Sequence, residues 1–237
     1  RQVSSAASDV YKRQVLNRTM KILAYTMAFS VLAAASKAEE EWVSIFDGET
    51  LKGWTDSNGG EVKEGGWLAK DGVLYRKAKG GDLYTAKEYA DFEFRWEWKI
   101  SSKGNSGVKY RVTKYGSTNL GPEYQVLDDA HPDGAKSKKR QASSLYDFLA
   151  PNDKKKLNPV GEWNSSRVVA KGKHLKHYLN GELVVEIVVG SDRWKEAHKQ
   201  SKFKSKDNFA HNQSGRIFLQ DHNDKVWYRK LEIKEIK

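Results

Sequence analysis

A strict alternation of apolar and charged residues at 92–100 constrains the fold of this chain more than any other feature. The segment reads FEFRWEWKI, so every second side chain, from Phe92 to Ile100, is large and apolar. Successive side chains of a strand point to opposite faces of the sheet. The pattern therefore predicts an antiparallel strand with one buried face and one solvated face.

Shorter segments of the same kind recur along the chain with glycine turns between them. Asn180-Gly181 between two apolar runs is a strong hairpin signal. Only 191–204 has helical spacing, and two long polar loops are predicted at 130–140 and 147–161. The pattern favours an all-β sandwich of two antiparallel sheets in one domain. The further predicted strands are 66–69, 73–76, 108–113, 124–127, 163–170, 174–179, 182–189, 217–220 and 226–236.

The N-terminal residues are predicted to lie outside this domain. Met20-Lys21 begins a short basic start, which is followed by the apolar run 22–35 and by Ser36-Lys37-Ala38. This is the pattern of a secretory signal peptide at 20–38, and the apolar run is too short for a membrane span of about 20 residues. Residues 1–19 are interpreted as non-native upstream translation. The working domain is expected at 39–237, secreted or periplasmic in a bacterium, with no stable membrane span.

Composition excludes several classes of protein. Cysteine is absent, so disulfides, thiolate metal sites and a cysteine nucleophile are all excluded. The formal net charge is +11, and it falls to +6 once the six basic and one acidic residues of 1–38 are removed from the totals of 42 and 31. The excess lies in runs at 136–140, 154–156 and 195–206 rather than in a stripe interleaved with aromatic residues. No nucleic-acid partner is therefore expected.

Three segments combine strand alternation with polar side chains that are suited to chemistry. They read GNSGVKYR at 104–111, GPEYQVLD at 121–128 and GRIFLQDH at 215–222. If they converge on one sheet face, they would form a sugar- or acid-handling site. Each residue also has an ordinary interpretation, since Glu123 could pair with Arg111 or Lys109, and His222 could be structural or solvated. The side chains expected to converge are Arg111, Glu123, Gln125, Gln220 and His222.

Other candidates are less specific. Asp128 and Asp129 beside His131 could ligate Ca²⁺ through oxygen atoms, or cap a turn, and capping is the favoured interpretation. Tyr146 and Trp163 could stack on a sugar ring or pack in the core. No phosphate-binding glycine loop, GxSxG elbow or HExxH helix is present, and no second acid stands out as a glycosidase partner for Glu123. The sequence indicates no cofactor with certainty, and it leaves open whether the protein binds a divalent metal.

The order of these motifs resembles that of the 3-keto-disaccharide hydrolase family. Residues 45–54, IFDGETLKGW, resemble the FxGxxLxGW opening of the family. The resemblance covers nearly all of 39–237 in order. One departure is Ser143-Ser144 before Leu145-Tyr146, where the family more often has a Gly-Ala pair. The other segments that carry the resemblance are 67–74, 91–94, 105–107 with Arg111, 123–128, 161–164, 180–181 and 215–222.

The resemblance implies a concanavalin A-like jelly roll with the site on its concave face, and cleavage of 3-keto-glycosides or 3-keto-disaccharides. A partner sugar 3-oxidoreductase would first oxidise the C3 hydroxyl of an oligosaccharide or glycoside. The resulting ketone acidifies the C2 hydrogen, so one base and one acid suffice to eliminate the C1 substituent, and water can then add back. The alternative function is a non-catalytic carbohydrate-binding module on the same fold.

The resemblance also suggests roles for the candidate residues. His222 or Glu123 would be the base at C2, and Arg111 and Gln125 would hold the ketone or enolate oxygen. Asp128 would orient a neighbouring group or ligate a metal. The residues expected to bind the substrate or shape its pocket are Asn105, Gln125, Asp128, Tyr146, Trp163 and Gln220.

Overall fold

The computed structural model describes residues 41–115 and 118–237. Within these ranges two antiparallel sheets pack face to face, which confirms the predicted all-β sandwich of concanavalin A-like jelly-roll type. The upstream segment 1–19, the signal peptide predicted at 20–38 and the expected domain start at Glu39 lie outside the described residues. No helix in the described ranges is long and apolar enough to cross a membrane.

In residues 41–115 and 118–237 the strands run in chain order from β1 to β14, with two short helices and one 3-10 turn between them. The helices span Pro132–Lys136 and Asp192–Lys199, and the 3-10 turn spans Lys138–Arg140. The strands are β1 (Val43–Ser44), β2 (Trp54–Thr55), β3 (Trp67–Lys70), β4 (Val73–Arg76), β5 (Leu83–Tyr89), β6 (Phe92–Ile100), β7 (Asn105–Tyr115), β8 (Thr118–Leu120), β9 (Glu123–Leu127), β10 (Asn164–Lys171), β11 (His174–Leu179), β12 (Glu182–Val188), β13 (Gly215–Leu219) and β14 (Val226–Glu235).

The strand order defines the two layers. In the described chain an eight-stranded sheet has the order β12-β11-β10-β6-β14-β4-β3, with β1 also paired to β14. A six-stranded sheet has the order β2-β5-β13-β7-β8, with β9 paired to β7 beside β8. Strands β7, β9 and β13 carry the three polar motifs and are neighbours in the six-stranded sheet. The topology therefore brings the predicted segments together.

The core forms between the inner faces of the two sheets. The five apolar side chains of β6 are all buried, as its alternation predicts. Trp96 stacks on Phe94 with the ring centroids 4.9 Å apart, and it meets Tyr124 of the other sheet edge-on at 5.0 Å. Burial of each such side chain stabilises the fold by about 1.5–3 kcal/mol. The aromatic residues of β6 thus hold the two layers together.

Strand β5, which lies between β2 and β13, is not among the predicted strands. Its residues, LYTAKEY, are buried, buried, buried, exposed, exposed, exposed and buried in turn. This pattern lacks period two, because the first three residues are all buried, the next three are all exposed, and Tyr89 at the end is buried again. The predicted helix at 191–204 is shorter than expected, since it begins after the cap Ser191 and ends at Lys199.

Loops cover part of the outer face of the six-stranded sheet. Gly134 of the first helix packs closely on Leu127 of β9. From the other side, the Asn212 side chain donates to the carbonyl oxygens of Arg111 and Leu120 at 2.9 and 3.2 Å. The region 130–140 was predicted as a loop, and its short helix is held against the sheet. Side chains on this face therefore lie in a partly enclosed environment.

Candidate functional site

The outer face of the six-stranded sheet carries a row of polar and aromatic side chains. The strand register places Glu123 of β9 opposite Lys109 of β7, Lys109 opposite Phe218 of β13, and Phe218 opposite Tyr84 of β5. The Phe218 ring centroid lies 4.8 Å from that of Tyr84 and 4.7 Å from Lys109 Nζ. This row gives the face a charged end at Glu123 and an aromatic end at Tyr84.

Glu123 supplies the carboxylate of this row. Its residue surface is only 5% exposed, and Lys109 Nζ lies 3.8 Å from its Oε2. That separation is an ion pair rather than a tight hydrogen bond. Lys109 is one of the two ion-pair partners that the sequence suggests for Glu123. Next to it, Gly107 leaves the space that the carboxylate occupies.

Tyr146 and Lys202 close over Glu123 from the loops. The Tyr146 amide donates to the Glu123 carbonyl oxygen at 3.0 Å, and Lys202 Nζ lies 3.9 Å from the Tyr146 ring centroid. Burial raises the pKa of Tyr146 to about 12, and the charge of Glu123 adds to that effect. Partial desolvation of its ammonium lowers the pKa of Lys202, although the residue as a whole is exposed, and the charge of Glu123 opposes the shift. The Glu123 carboxylate thus shares one electrostatic environment with two lysines and a tyrosine.

Gln125 and Asn105 form a buried amide pair beside Glu123. Gln125 Nε2 donates to Asn105 Oδ1 at 3.1 Å, and both residues are at most 3% exposed. Gln125 Oε1 is buried and has no hydrogen-bond partner among the described residues. An unpaired buried acceptor destabilises a fold by about 1–3 kcal/mol. This oxygen is therefore suited to accept a hydrogen bond from a hydroxyl group of a bound molecule.

Gln220 and His222 lie toward one end of this face. The backbone amide of Gln220 donates to the Gly107 carbonyl oxygen at 2.9 Å. Since Gly107 lies opposite Gln125 in the strand register, Gln220 is aligned with Gln125 across β7. Strand β13 ends at Leu219, so His222 belongs to the following loop and is exposed. Its ring centroid lies 6.5 Å from that of His131, edge to face. His222 is therefore a rim residue rather than a buried member of the row.

Arg111 does not join this face, in contrast to its predicted role. Between β7 and β13 the register shifts, with Arg216 opposite Val112 but Phe218 opposite Lys109, and Arg111 has a φ of 46° within this bulge. The bulge turns Arg111 away from the face that Lys109 shares. Its guanidinium donates to Ala90 O at 2.8 Å, Gly172 O at 2.6 Å and Asp91 Oδ1 at 2.8 Å. These contacts hold its guanidinium against the β5–β6 turn and the β10–β11 hairpin, away from the face of Glu123.

Trp163 and Asp128 are also placed elsewhere. Trp163 packs against Lys99 and Arg229 on the outer face of the eight-stranded sheet, with Lys99 Nζ 5.1 Å and Arg229 Cζ 4.1 Å from its ring. The Asp128 carboxylate accepts from the amides of Lys103 and Ala130 at 2.6 and 3.0 Å. Asp128 thus caps a turn, as the favoured interpretation of its position predicts. Neither side chain reaches Glu123.

Several residues on this face were not predicted as site residues. Lys109 lies inside the first polar motif, and its alternation with Tyr110 could have indicated its face. Asp82 accepts from the Asp221 amide at 2.8 Å, and burial raises its pKa while Lys109 opposes the shift. Lys202 follows the second helix within a lysine-rich run, which was interpreted as solvated charge. Only the folding of this run over the sheet identifies Lys202.

A metal site is not formed by the predicted acidic residues. In the described ranges no three His, Cys, Asp or Glu side chains cluster as ligands. Asp128 is bound to backbone amides, and the carboxylate of Asp129 accepts from the Ala142 amide at 2.9 Å and pairs with Lys155. The Asp128-Asp129 segment with His131 therefore does not fit the Ca²⁺ site that the sequence left open.

Comparisons with known proteins agree with this architecture. The 3-keto-disaccharide hydrolase of Bacteroides thetaiotaomicron is 32% identical over 228 residues, covering 81% of this chain and 78% of that protein. A solved structure from Parabacteroides distasonis, named as a glycosyl hydrolase, has a TM-score of 0.75 at 32% identity and covers 84% of this chain and 95% of its own. A second one from the same organism has a TM-score of 0.67 at 24% identity, covering 83% of this chain and 100% of its own, and supports the fold.

The names of the two relatives at 32% identity support a carbohydrate hydrolase. A family model described as the 3-keto-alpha-glucoside-1,2-lyase-like domain matches residues 41–234, which is nearly the whole described chain. This extent agrees with the order of motifs in the sequence. The chain therefore belongs to the 3-keto-alpha-glucoside-1,2-lyase-like family, which includes the 3-keto-disaccharide hydrolases.

Proposed function

We propose that this protein cleaves the glycosidic bond of 3-keto-glycosides or 3-keto-disaccharides by elimination followed by hydration. Membership of the family supports the substrate class. The observation that carries the chemistry is the enclosed Glu123 carboxylate, which faces Lys109 and the Lys202–Tyr146 pair. Such a group of one base and two cations suits abstraction of a proton next to a ketone.

Glu123 is the proposed base at C2 of the keto sugar. Its carboxylate is nearly enclosed, so a bound sugar would meet it away from bulk water. His222 was the alternative base, but it lies exposed at the rim beside His131. We therefore assign the proton transfer to Glu123 and leave His222 a role in binding at the rim.

Lys109 is proposed to stabilise the enolate oxygen that forms at C3. Removal of the C2 proton moves an electron pair onto the ketone oxygen, and a fixed ammonium next to Glu123 is suited to hold that charge. The sequence suggests Arg111 and Gln125 for this role, but hydrogen bonds to Ala90, Gly172 and Asp91 engage the Arg111 guanidinium elsewhere. Lys109 takes over the role because it shares the outward face with Glu123.

Lys202 is proposed to protonate the departing C1 oxygen. Partial desolvation of its ammonium against the Tyr146 ring lowers its pKa, which makes the ammonium a better acid than that of an ordinary lysine. The C1–O bond breaks as the enolate electrons form the C1–C2 double bond. Water then adds at C1, C2 recovers the proton that Glu123 took, and Lys202 regains a proton from the water. The net result is hydrolysis.

The buried amides are proposed to fix the sugar. Gln125 Oε1 lacks a partner among the described residues and would accept a sugar hydroxyl, while Asn105 holds the Gln125 amide group in place. Gln220, directly after the end of β13, offers a second amide on the same side of Glu123. A substrate would thus be oriented by neutral groups on one side and react between charged groups on the other.

The decisive experiment compares a chromogenic 3-keto-glucoside with the same glucoside unoxidised, using protein 39–237. The chromophore should be released from the keto substrate alone, and its release should be slower when C2 carries deuterium. Binding without turnover would instead favour a carbohydrate-binding module. Turnover of the unoxidised glucoside at the same rate would contradict the proposed step at C2.

Single substitutions test the assigned roles. Glu123→Gln and Lys202→Met are expected to lower kcat by at least about a hundredfold, because each removes an acid–base group. Trp163→Ala is the matched control, since Trp163 lies on the opposite face, and its kcat should stay within about twofold. His222→Ala should cost less than Glu123→Gln. A full loss in His222→Ala with an active Glu123→Gln would reverse the assignment of the base.

The cellular setting is proposed from the sequence. The leader at 20–38 would export the protein to the periplasm or the medium, and a sugar 3-oxidoreductase would supply the ketone that the reaction requires. N-terminal sequencing of protein recovered from a bacterial host should give Glu39. A start at any position before Met20 would contradict the signal peptide.

A further inference from the structure

The outer face of the eight-stranded sheet carries a second organised surface, on the opposite side of the sandwich from Glu123. Its strand register aligns Tyr178 of β11 with Arg167 of β10, Arg167 with Arg95 of β6, and Arg95 with Glu232 of β14. Four neighbouring strands thus contribute one continuous row of aromatic and charged side chains. Nothing in the proposed reaction uses this row.

Two adjoining hollows lie along this row. One has a volume of about 300 Å³ and is lined by Trp42, Tyr178 and Arg167, and the other has about 370 Å³ and is lined by Glu97 and Glu232. They share Arg95, Ser165 and Ser166, so they form one groove. Volumes of this size lie within the range of about 300–1,000 Å³ that is typical of small-ligand sites.

The aromatic walls of the groove are held in place before any ligand binds. The Arg95 guanidinium lies 4.0 Å from the Trp42 ring centroid, and the Arg167 guanidinium lies 3.9 Å from that of Tyr178. Arg95 Nε is itself held by Glu232 at 2.6 Å, and Arg167 is paired with Glu93. Rings that are already ordered lose little conformational entropy when a ligand packs against them.

The charges of the groove are balanced. Arg95 pairs with Glu232, and Arg167 pairs with Glu93. Glu97 is bound by both Arg229 and Lys230 at 2.6 Å. Every charged side chain that lines the groove therefore has an opposite charge beside it. A strongly anionic or cationic ligand would have to break these pairs, whereas a neutral ligand rich in hydroxyls would not.

We propose that this groove binds a neutral oligosaccharide. The C–H faces of a sugar ring pack on Trp42 and Tyr178, and its hydroxyls meet the exposed Ser165 hydroxyl and the outer N–H groups of Arg95. Gly181 at the hairpin adds no side chain that would block the approach. The carbohydrate class agrees with the proposed function, but the groove retains a glycan whether or not the opposite face cleaves it.

The test is affinity electrophoresis of protein 39–237 in native gels that contain dextran, starch, mixed-linkage β-glucan or heparin. The wild-type protein should be retarded by at least one of the three neutral polysaccharides. The double variant Trp42→Ala/Tyr178→Ala should lose at least about tenfold in affinity, because it removes both aromatic walls. Ser165→Lys, at an exposed position, should also abolish retardation by filling the groove with a charged chain.

Matched variants separate the groove from the catalytic face. Trp227→Ala removes a tryptophan that packs on Lys99 of the same outer face but lines neither hollow, so it should retain binding. Glu123→Gln should retain binding as well. The double variant should keep the kcat/KM of wild type on the small keto-glucoside, which shows that it is folded and that failure of the groove is distinct from failure of the proposed reaction.

Three results would contradict the proposal that the groove binds a neutral oligosaccharide. They are retardation by no neutral polysaccharide, equal retardation of wild type and both groove variants, and retardation by heparin alone, which would indicate an anionic partner. Loss of binding in Glu123→Gln with retention in the groove variants would place the polymer on the catalytic face instead.

Discussion

At the scale of single residues, Gly107 leaves the space in which the Glu123 carboxylate lies. A Cβ at this position would overlap Glu123 Oε1, while the Gly107 backbone is not in the left-handed region and accepts alanine without strain. Gly107→Ala should therefore displace the carboxylate and lower kcat by about tenfold to a hundredfold, with little change in Tm. Thr113→Ala on the same strand is the control. An unchanged kcat in Gly107→Ala would show that the carboxylate position does not limit the reaction.

Residues in regular strands could be predicted well from the sequence, and residues at irregular positions could not. Glu123, Gln125 and Asn105 meet because alternation and register fix their face. Arg111 was misplaced because one extra residue in a bulge reverses the face, and no sequence pattern marks that bulge. Lys202 reaches the site through turns after a helix, so its neighbours depend on tertiary packing alone.

At the scale of elements, His177 of β11 links the core to the segment behind Gln125. Its Nε2 lies 2.9 Å from the Tyr110 hydroxyl and its Nδ1 lies 3.0 Å from Ser143 O, while the Ser143 amide donates to Gln125 O at 2.8 Å. Burial lowers the pKa of His177 to about 4, against about 6.5 in the unfolded chain. The fold therefore holds this imidazole neutral, and its ring supports the wall of the candidate site.

The sign of the pH dependence follows from this lowered pKa. Between pH 6.5 and 4 the unfolded chain binds a proton at His177 that the folded chain does not, so stability falls as the pH falls. His177 should contribute a loss of about 2 kcal/mol by pH 4.5 relative to pH 7. Urea unfolding of the wild type and of His177→Gln at both pH values measures this loss. The free energy of unfolding should fall less in the variant than in the wild type. Parallel losses in the two proteins would contradict the lowered pKa.

At the scale of the whole molecule, the two sheets present different surfaces, and Arg111 helps to join the layers that carry them. Its guanidinium extends from β7 of one sheet to the β5–β6 turn at Ala90 and Asp91, and to Gly172 in the β10–β11 hairpin of the other sheet. The residue is 2% exposed. Arg111 thus connects the two sheets at one end of the sandwich.

Replacing Arg111 tests this role against the catalytic role that the motif suggested. Arg111→Met removes the donor to the carbonyl oxygens of Ala90 and Gly172 and leaves the Asp91 carboxylate with the Gly172 amide but without its charged partner, so the free energy of unfolding should fall by about 3–5 kcal/mol and Tm by about 10 °C. At a temperature where the variant is still folded, its kcat on the keto-glucoside should stay within about twofold of wild type. A variant of normal Tm with a hundredfold lower kcat would return Arg111 to the reaction, because a distant structural tie cannot change the chemical step while leaving stability intact.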